Sequence, residues 1–300
     1  MGDGNENNPF LRAMVPPRAI IFDIGGVVVG SPLVGINLYE QERGLPHDYI
    51  NVGITARGRK GAFQRFERSE LALYAFYKTF GEELSDLNSM NRWYTEFCKA
   101  RRREVPQLPT DLQIDGRHLF GLMMKQSTRI DPLMETALKR LRASGKFRLA
   151  ALTNNFAPPT AASPENGGGE SAKVATLEEE LEHLGISKES QRIRDFFDEY
   201  IESAVVGMRK PEEGIYLYAL DKLKVRPDEV VFLDDIGHNL KAAAKLGIRT
   251  IRVSAASCLQ ALRQLEQETG IELLDERQVE YEKERVREAE MAKNARKPKL

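Results

Sequence analysis

The chain alternates between short apolar runs and longer segments with helical periodicity. Short runs rich in apolar and β-branched residues cover 18–23, 149–152, 230–235 and 249–253. Runs of this length, bounded by turn residues, are typical of strands buried between helices. Helical patterns lie between them, for example over 133–144, 211–223 and 239–246. This alternation predicts an α/β fold, a doubly wound Rossmann-like parallel sheet with right-handed crossovers.

One long segment has no strand pattern. From 32 to 130 the apolar positions recur at helical spacing, which predicts a helical domain inserted after the first strand. The α/β core domain would then consist of 18–31 and 131–275. Three further segments carry too few apolar residues to build a core: a disordered N-terminus (1–17), a flexible loop (157–172) and a charged C-terminal tail (276–300).

Composition narrows the choice of partners and compartment. The chain has 44 basic and 45 acidic residues, and no basic stripe interleaved with aromatic residues, so we expect no nucleic-acid partner. No apolar stretch is long enough to span a membrane, and the first residues lack the regions of a signal peptide. These features predict a cytoplasmic protein, and we expect a monomer or a homodimer. A peroxisomal location is the alternative, because Pro298-Lys-Leu300 resembles the Ser-Lys-Leu signal.

Acidic residues stand where two of the predicted strands end. Asp23 closes the first run and is followed by Gly25 and Gly26, while Asp234 and Asp235 close the run that starts at 230. Open α/β sheets bind ligands at the carboxyl ends of their strands. If these two strands are neighbours, three carboxylates meet at one edge, and they require a cation or raised pKa values. Mg²⁺ is the expected ion.

Two further segments add polar groups of other kinds. Thr153 and Asn154 follow the second predicted strand, and Lys210 comes just before a helix start marked by Pro211. A carboxylate nucleophile, a hydroxyl, a cation and metal-binding acids are the groups that transfer of a phosphoryl group to an aspartate needs.

In this order, the four segments resemble the motifs of the haloacid dehalogenase superfamily. The similarity is greatest to the phosphatase-like branch that includes the N-terminal domain of soluble epoxide hydrolases. The segments are Phe-Asp-Ile-Gly-Gly-Val (22–27), Leu-Thr-Asn-Asn (152–155), Gly-Met-Arg-Lys-Pro (207–211) and Phe-Leu-Asp-Asp-Ile-Gly-His-Asn (232–239). The resemblance implies that the helical insert is a cap domain, which closes over the site and selects a small phosphorylated substrate.

The resemblance also implies a role for each motif residue. Asp23 is the nucleophile and a Mg²⁺ ligand, Thr153 and Asn154 donate hydrogen bonds to phosphate, and Lys210 holds nucleophile and phosphate together. Asp235 binds the metal directly, and Asp234 binds it either directly or through one of its ligands.

The sequence departs from the family at Gly25. Phosphatases of the family carry a second aspartate here, which protonates the leaving oxygen and later activates water. The Gly25 carbonyl can still ligate the metal, but glycine cannot transfer a proton, a function worth about 10²–10⁴-fold. We therefore expect good leaving groups, such as acyl phosphates, to be the better substrates. His238 is a conceivable substitute, although a solvent-facing histidine at a helix start is the favoured interpretation.

Two alternatives remain beside a phosphohydrolase. A 2-haloacid dehalogenase would need neither an acid at Gly25 nor a metal, so the pair of acids at 234 and 235 argues against it. A catalytically weakened relative that binds a phosphorylated ligand is compatible with Gly25. In the insert, Arg57 lies in a basic, glycine-flanked loop and is predicted to bind an anionic group of the substrate.

Overall fold

The computed structural model describes residues 15–158, 176–185 and 192–295. Its sheet contains five parallel strands in the order β3-β2-β1-β4-β5. The strands are β1 Ala19–Phe22, β2 Arg148–Thr153, β3 Glu199–Glu202, β4 Val230–Asp234 and β5 Arg249–Arg252. The predicted parallel α/β sheet is confirmed, and four of the five strands lie where the apolar runs predicted them.

Helices account for most of the remaining described chain. They are α1 Pro32–Glu42, α2 Tyr49–Ala56, α3 Ala62–Phe66, α4 Leu73–Leu84, α5 Leu87–Ala100, α6 Gly116–Lys125, α7 Pro132–Ser144, α8 Leu177–His183, α9 Ser203–Val206, α10 Glu213–Leu223, α11 Gly237–Lys245, α12 Leu259–Thr269 and α13 Glu276–Ala295. The first six follow β1 directly, so the segment predicted to be helical is helical throughout its regular elements.

Both faces of the sheet are covered. Side chains alternate along a strand, so Ile20 and Phe22 of β1 pack on one face, with α7 and α12, while Ala19 and Ile21 pack on the other, with α10 and α11. Burial on both faces explains why β1 and β4 are apolar at every position before the terminal acid. The doubly wound arrangement follows from this packing.

The six helices after β1 enclose an apolar cluster of their own, dominated by aromatic rings. Phe66 and Phe76 stack with centroids 4.0 Å apart, and Phe120 meets Phe76 edge-on at 5.0 Å. Phe156, which follows β2, stacks on Phe66 at 5.2 Å and also meets Phe120 at 5.2 Å. The chain that leaves the second strand is therefore packed against the helical insert, which we call the cap from here on.

Helix α8, which lies between β2 and β3 in the chain, also packs on the cap. Its Glu180 side chain is 1% exposed; it accepts a hydrogen bond from Tyr77 Oη at 2.6 Å and pairs with Arg117 Nη2 at 2.9 Å. Leu184, just after the helix, belongs to the apolar cluster of the cap. Helix α8 thus adds a contact between the cap and the chain that joins β2 to β3.

Helix α7 returns the chain from the cap to the sheet and has clear boundary residues. Asp131 caps its start by accepting from the backbone N–H groups of Leu133 and Met134, at 2.9 and 3.1 Å. Gly145 ends it in the left-handed conformation, with φ of 64°.

The segments predicted to lack a core are described only in part. Residues 1–14, 159–175 and 296–300 lie outside the described residues, and with them most of the predicted loop over 157–172 and the Pro298-Lys-Leu300 signal. The predicted tail begins as α13, which buries Val279 against the core. No helix in the described ranges combines the length and apolarity that crossing a membrane requires.

Candidate active site

The topology brings the two acidic strand ends together. Strands β1 and β4 are neighbours with Phe22 opposite Leu233, and the Asp23 N–H donates to the Leu233 carbonyl at 2.8 Å. One carboxylate oxygen from each of Asp23, Asp234 and Asp235 lies within 4.8 Å of the others. Among the described residues, this is the only group of three or more acidic, histidine or cysteine side chains close enough to hold a metal ion.

Lys210 lies at the centre of this cluster. Its Nζ is 2.8 Å from Asp23 Oδ1 and 2.8 Å from Asp234 Oδ2, and its side chain is 1% exposed. Asn154 holds the lysine loop in place, since its Oδ1 accepts from the Lys210 N–H at 2.8 Å and its Nδ2 donates to the Lys210 carbonyl at 3.0 Å. The peptide bond from Lys210 to Pro211 is cis.

The motif residues after β2 also lie at this edge. Thr153 is the buried last residue of β2, which neighbours β1. Asn154 was predicted to donate to phosphate; its bonds to Lys210 use one amide hydrogen and leave the other for such a contact. The hydrogen bonds by which Asn154 holds Lys210 in place were not predicted, because only the order of the motifs pointed to them.

Asp234 and Asp235 differ in their hydrogen bonding. Asp234 is fully buried and accepts from the Ile236 N–H at 2.8 Å and from Asn239 Nδ2 at 3.1 Å to each oxygen. Asp235 accepts from Ser31 Oγ at 3.3 Å through Oδ2, while its buried Oδ1 has no hydrogen-bond partner in the described chain. Asn239 and Ser31 were not predicted to act at the site. The Ser31-Pro32 pair is a recognisable helix start and was the available signal.

The electrostatics of the cluster favour a bound cation. Burial, with Asp234 and Asp235 nearby, raises the pKa of Asp23 well above its ordinary value despite the opposing effect of Lys210. Burial and Asp234 raise the pKa of Asp235 to about 6. Burial disfavours the charge of Lys210, but Asp23 and Asp234 outweigh it and raise the pKa of the ammonium. One ammonium faces three carboxylates, so a hard divalent cation would complete the charge balance.

The donor set fits Mg²⁺. Carboxylate oxygens are the ligands this ion prefers, and the unpartnered buried Oδ1 of Asp235 is an oxygen for which a metal bond would supply the missing partner. The cluster of three aspartates can therefore bind a metal ion at the mouth of the sheet.

The glycine pair after Asp23 shapes the floor of the site. Gly26 has φ of 84°, and a Cβ on it would lie 2.3 Å from Asp235 Oδ2, so this position requires glycine. A Cβ on Gly25 would lie 3.3 Å from Pro32 Cδ, a tight contact with a small ring. Pro32 therefore borders the position at which phosphatases of the family carry their second aspartate.

The remaining predicted residues lie further from the cluster. Arg57 donates to the Glu83 carbonyl, lies 3.8 Å from an Asp86 carboxylate oxygen, and covers the Trp93 ring at 5.1 Å. These contacts are all within the cap, and its predicted binding of substrate remains a prediction. His238 lies at the surface in the first turn of α11, where partial desolvation of its ring and the charge of Arg209 lower its pKa.

Comparison with known proteins agrees with the fold and the motifs. The family model for haloacid dehalogenase-like hydrolases matches residues 17–247. The chain belongs to this family. As a haloacid dehalogenase-like protein it is a hydrolase, and its family acts on small substrates.

Relatives within the family are larger proteins. The chain is 30% identical over 257 residues to acyl-CoA dehydrogenase family member 10 of Mus musculus, covering 85% of this chain and 19% of that protein. It is also 30% identical over 258 residues to bifunctional epoxide hydrolase 2 of Sus scrofa, covering 86% of this chain and 40% of that protein. The chain thus spans about a fifth to two fifths of these relatives. Among solved structures, a haloacid dehalogenase-like hydrolase from Porphyromonas gingivalis aligns with a TM-score of 0.46 and 17% identity, covering 84% of this chain and 98% of that one.

Proposed function

We propose that the protein is a Mg²⁺-dependent phosphohydrolase that acts through a phosphoryl group transferred to Asp23. The observation that carries the proposal is the position of the Lys210 ammonium, 2.8 Å from both Asp23 and Asp234 in a site that also contains Asp235. A nucleophilic carboxylate, a fixed cation and a metal-binding acid pair are the parts that phosphoryl transfer requires.

The first step is attack by Asp23 on phosphorus. Both fixed contacts of its carboxylate, the Ile24 N–H at 2.7 Å and Lys210 Nζ, engage Oδ1. In the described residues Oδ2 forms no hydrogen bond, so Oδ2 is the oxygen that attacks. The P–O bond to the leaving group breaks as the bond to Asp23 forms. Water then attacks phosphorus, phosphate leaves and the carboxylate is regenerated.

Stabilisation of the transferring group comes from preorganised charge. Lys210 is fixed by two carboxylates and by the bonds of its backbone to Asn154, so it requires no reorganisation as negative charge develops on the phosphoryl oxygens. Thr153 and the free amide hydrogen of Asn154 would donate to those oxygens. Asp23, Asp234 and Asp235 would hold Mg²⁺, which neutralises charge on the phosphoryl oxygens when it is bound.

Among its described residues, the site lacks an evident group for proton transfer to the leaving group. In the described structure no carboxyl or imidazole group occupies the place of the missing acid at Gly25, and His238 forms no hydrogen bond to the cluster. Leaving groups that need protonation should therefore react slowly, and hydrolysis of phosphorylated Asp23 should be slow for every substrate. Acyl and aryl phosphates are the expected better substrates.

Carbon–halogen cleavage by Asp23 is less consistent with the site. Such a reaction uses no metal, yet Asp235 keeps a buried carboxylate oxygen without a partner in the described chain, and a bound cation would offset the desolvation cost of that oxygen. A 2-haloacid dehalogenase would gain nothing from this arrangement.

Phosphate release tests the proposal. Wild-type protein and Asp23→Asn are assayed on acyl, aryl and alkyl phosphates, with Mg²⁺ and with a chelator. We expect release that requires Mg²⁺, decreases from acyl and aryl to alkyl substrates, and is lost in Asp23→Asn. Asp221→Asn is the matched control, because Asp221 is an exposed carboxylate paired with Lys224 on α10. No release from any substrate, with tight binding of phosphate, would favour a binding protein instead.

The variant Gly25→Asp tests whether the site lacks a general acid for phosphate ester hydrolysis. The backbone at Gly25 is outside the left-handed region, and the added Cβ would require Pro32 to move by only a few tenths of an ångström. We expect its alkyl phosphate activity to rise by about 10²-fold or more. No gain, in a variant that folds and binds Mg²⁺ normally, would mean that another group already supplies the proton.

A further inference from the structure

The cap carries a basic cavity that the site described above does not use. Its volume is about 430 Å³, and it is lined by Arg59, Lys60, Arg65, Arg68 and Glu70. The loop containing Arg59 and Lys60 precedes α3, and Arg68 follows it.

Arg68 forms a rigid wall of this cavity. Its side chain is 3% exposed; Nε donates to Glu70 Oε1 at 2.6 Å, and Nη2 donates to the Arg59 carbonyl at 2.8 Å. Its Nη1 donates to Glu212 Oε1 at 3.4 Å. All three nitrogens are engaged, so Arg68 fixes the loop and contributes positive potential without being the group that meets a ligand.

The cavity has more positive than negative charge. Four cationic side chains face the carboxylates of Glu70 and Glu212, which leaves a surplus of two positive charges. Arg59 is 72% exposed and 3.5 Å from Glu212. Within the described chain Lys60 has no ion-pair or hydrogen-bond partner. Arg59 and Lys60 are therefore the groups available to an anion.

The cavity borders the loop that carries Lys210. Glu212, which contacts both Arg59 and Arg68, comes two residues after Lys210 and accepts from the Arg209 N–H at 3.4 Å. Glu67, the residue before Arg68 in the cap, pairs with Arg209 Nε at 2.5 Å. Basic residues of the cap are thus joined directly to the loop that positions the ammonium of the active site.

We propose that this cavity binds a second anionic group of the substrate, a carboxylate or phosphate remote from the phosphoryl group that is transferred to Asp23. The inference rests on the proposed function. It identifies the substrate class as a phosphorylated metabolite with a distal negative charge, recognised by Arg59 and Lys60.

The test compares charged and neutral versions of one substrate. Phenyl phosphates bearing a para tether of two to six methylene groups are prepared with a terminal carboxylate or its methyl ester, together with the matching non-hydrolysable phosphonates. We measure KM for the phosphates and Kd for the phosphonates by calorimetry. In wild-type protein the acid should bind about ten-fold or more tightly than the ester at one or more tether lengths.

Lys60 variants show whether the preference arises in this cavity. Lys60→Ala should reduce several-fold the ratio of the Kd of the methyl ester to the Kd of the carboxylate. Lys60→Glu should bring this ratio below one, so that the ester binds more tightly. Lys78→Glu is the matched control, because Lys78 is exposed on α4 of the cap and does not line this cavity; its ratio should equal that of the wild type.

The outcomes separate the inference from the function on which it rests. Equal binding of acid and ester at all tether lengths, or equal effects of the Lys60 and Lys78 variants, would overturn the second anion site even if phosphate is released. A charge preference in phosphonate binding that depends on Lys60, without release of phosphate from any substrate, would support the site and overturn the proposed hydrolysis.

Discussion

At the scale of single residues, Gly26 and Asp235 act as a pair. The left-handed backbone of Gly26 lets the chain turn directly beneath the Asp235 carboxylate, so the glycine determines where that acid can lie. The proposed binding of Mg²⁺ by Asp235 would therefore depend on Gly26, a residue that has no side chain of its own to contribute.

Gly26→Ala tests this dependence. The added Cβ would lie 2.3 Å from Asp235 Oδ2 and must displace the carboxylate. We expect Mg²⁺ affinity, measured by calorimetry, to fall by at least ten-fold, together with a loss of stability larger than the roughly 1–2 kcal/mol cost of left-handed backbone for alanine.

Gly44→Ala is the matched control. Gly44 also has positive φ, at 63°, but a Cβ on it meets nothing within 4 Å, so only the backbone cost applies. Unchanged Mg²⁺ binding in Gly26→Ala would show that Asp235 does not hold the ion.

The residues of the candidate site could be named from the sequence because strand ends and turn residues carry local signals. Asp23, Asp234 and Lys210 each follow or precede a recognisable boundary, and the parallel sheet brings them together. Asn239 and Ser31 could not be assigned in the same way, since their role is a hydrogen bond across the fold. Sequence spacing does not encode such contacts.

At the scale of elements, the sequence pattern did not predict strand β3 or the packing partner of helix α8. Strand β3 is a short edge strand, Glu-Tyr-Ile-Glu, with only Ile201 buried, so it lacks the continuous apolar run of the central strands. The periodicity of α8 predicts a helix, but it contains no information about the partner. Its docking on the cap depends on the buried Glu180.

Glu180→Ala tests the docking of α8. The substitution leaves the buried Tyr77 hydroxyl and the half-exposed Arg117 without their acceptor. We expect the free energy of unfolding in urea to fall by about 2–4 kcal/mol. Glu182→Ala, an exposed residue of the same helix, should change it by less than about 0.5 kcal/mol. Equal effects would mean that Glu180 does not anchor the helix.

Glu40 connects α1 to the start of α2 and makes the stability of the cap depend on pH. Its buried carboxylate accepts from the N–H groups of Asp48 and Ile50, and burial raises its pKa from 4.5 to about 7. The folded protein therefore binds this proton more tightly than the unfolded chain does. Its contribution to stability is full below about pH 4.5 and is lost as the pH rises through about 7.

Comparison with Glu40→Gln isolates this contribution. The free energy of unfolding of the wild type, relative to the variant, should decline between pH 4.5 and 7 by on the order of 3 kcal/mol and then level off. Chemical denaturation at a series of pH values measures it. A constant difference across the range would show that Glu40 keeps an ordinary pKa.

At the scale of the whole molecule, the cap and the sheet meet through charged and aromatic contacts next to the active site. Glu67 of the cap pairs with Arg209, and Phe156 after β2 stacks on Phe66. These contacts join the cap to the α/β core at Arg209, the neighbour of Lys210, and at Phe156, the neighbour of Asn155. The sequence predicted that a cap exists because strand patterns are absent from 32–130. The pairs that join it to the sheet could not be predicted, because each links residues distant in the chain.

The proposed hydrolysis depends on Asp23 receiving a phosphoryl group. Because Gly25 supplies no proton acceptor to activate water, the phosphorylated enzyme should form faster than it breaks down. Rapid mixing with an aryl phosphate should then give a burst of phenol, close to one equivalent per active site, followed by slow turnover.

Mass spectrometry of the protein quenched after the burst tests the central claim most directly. We expect a phosphoryl adduct on the peptide that contains Asp23, which forms only with Mg²⁺, is absent from Asp23→Asn, and decays faster in Gly25→Asp. Phosphate release without an adduct on Asp23, or an adduct on another residue, would contradict the account.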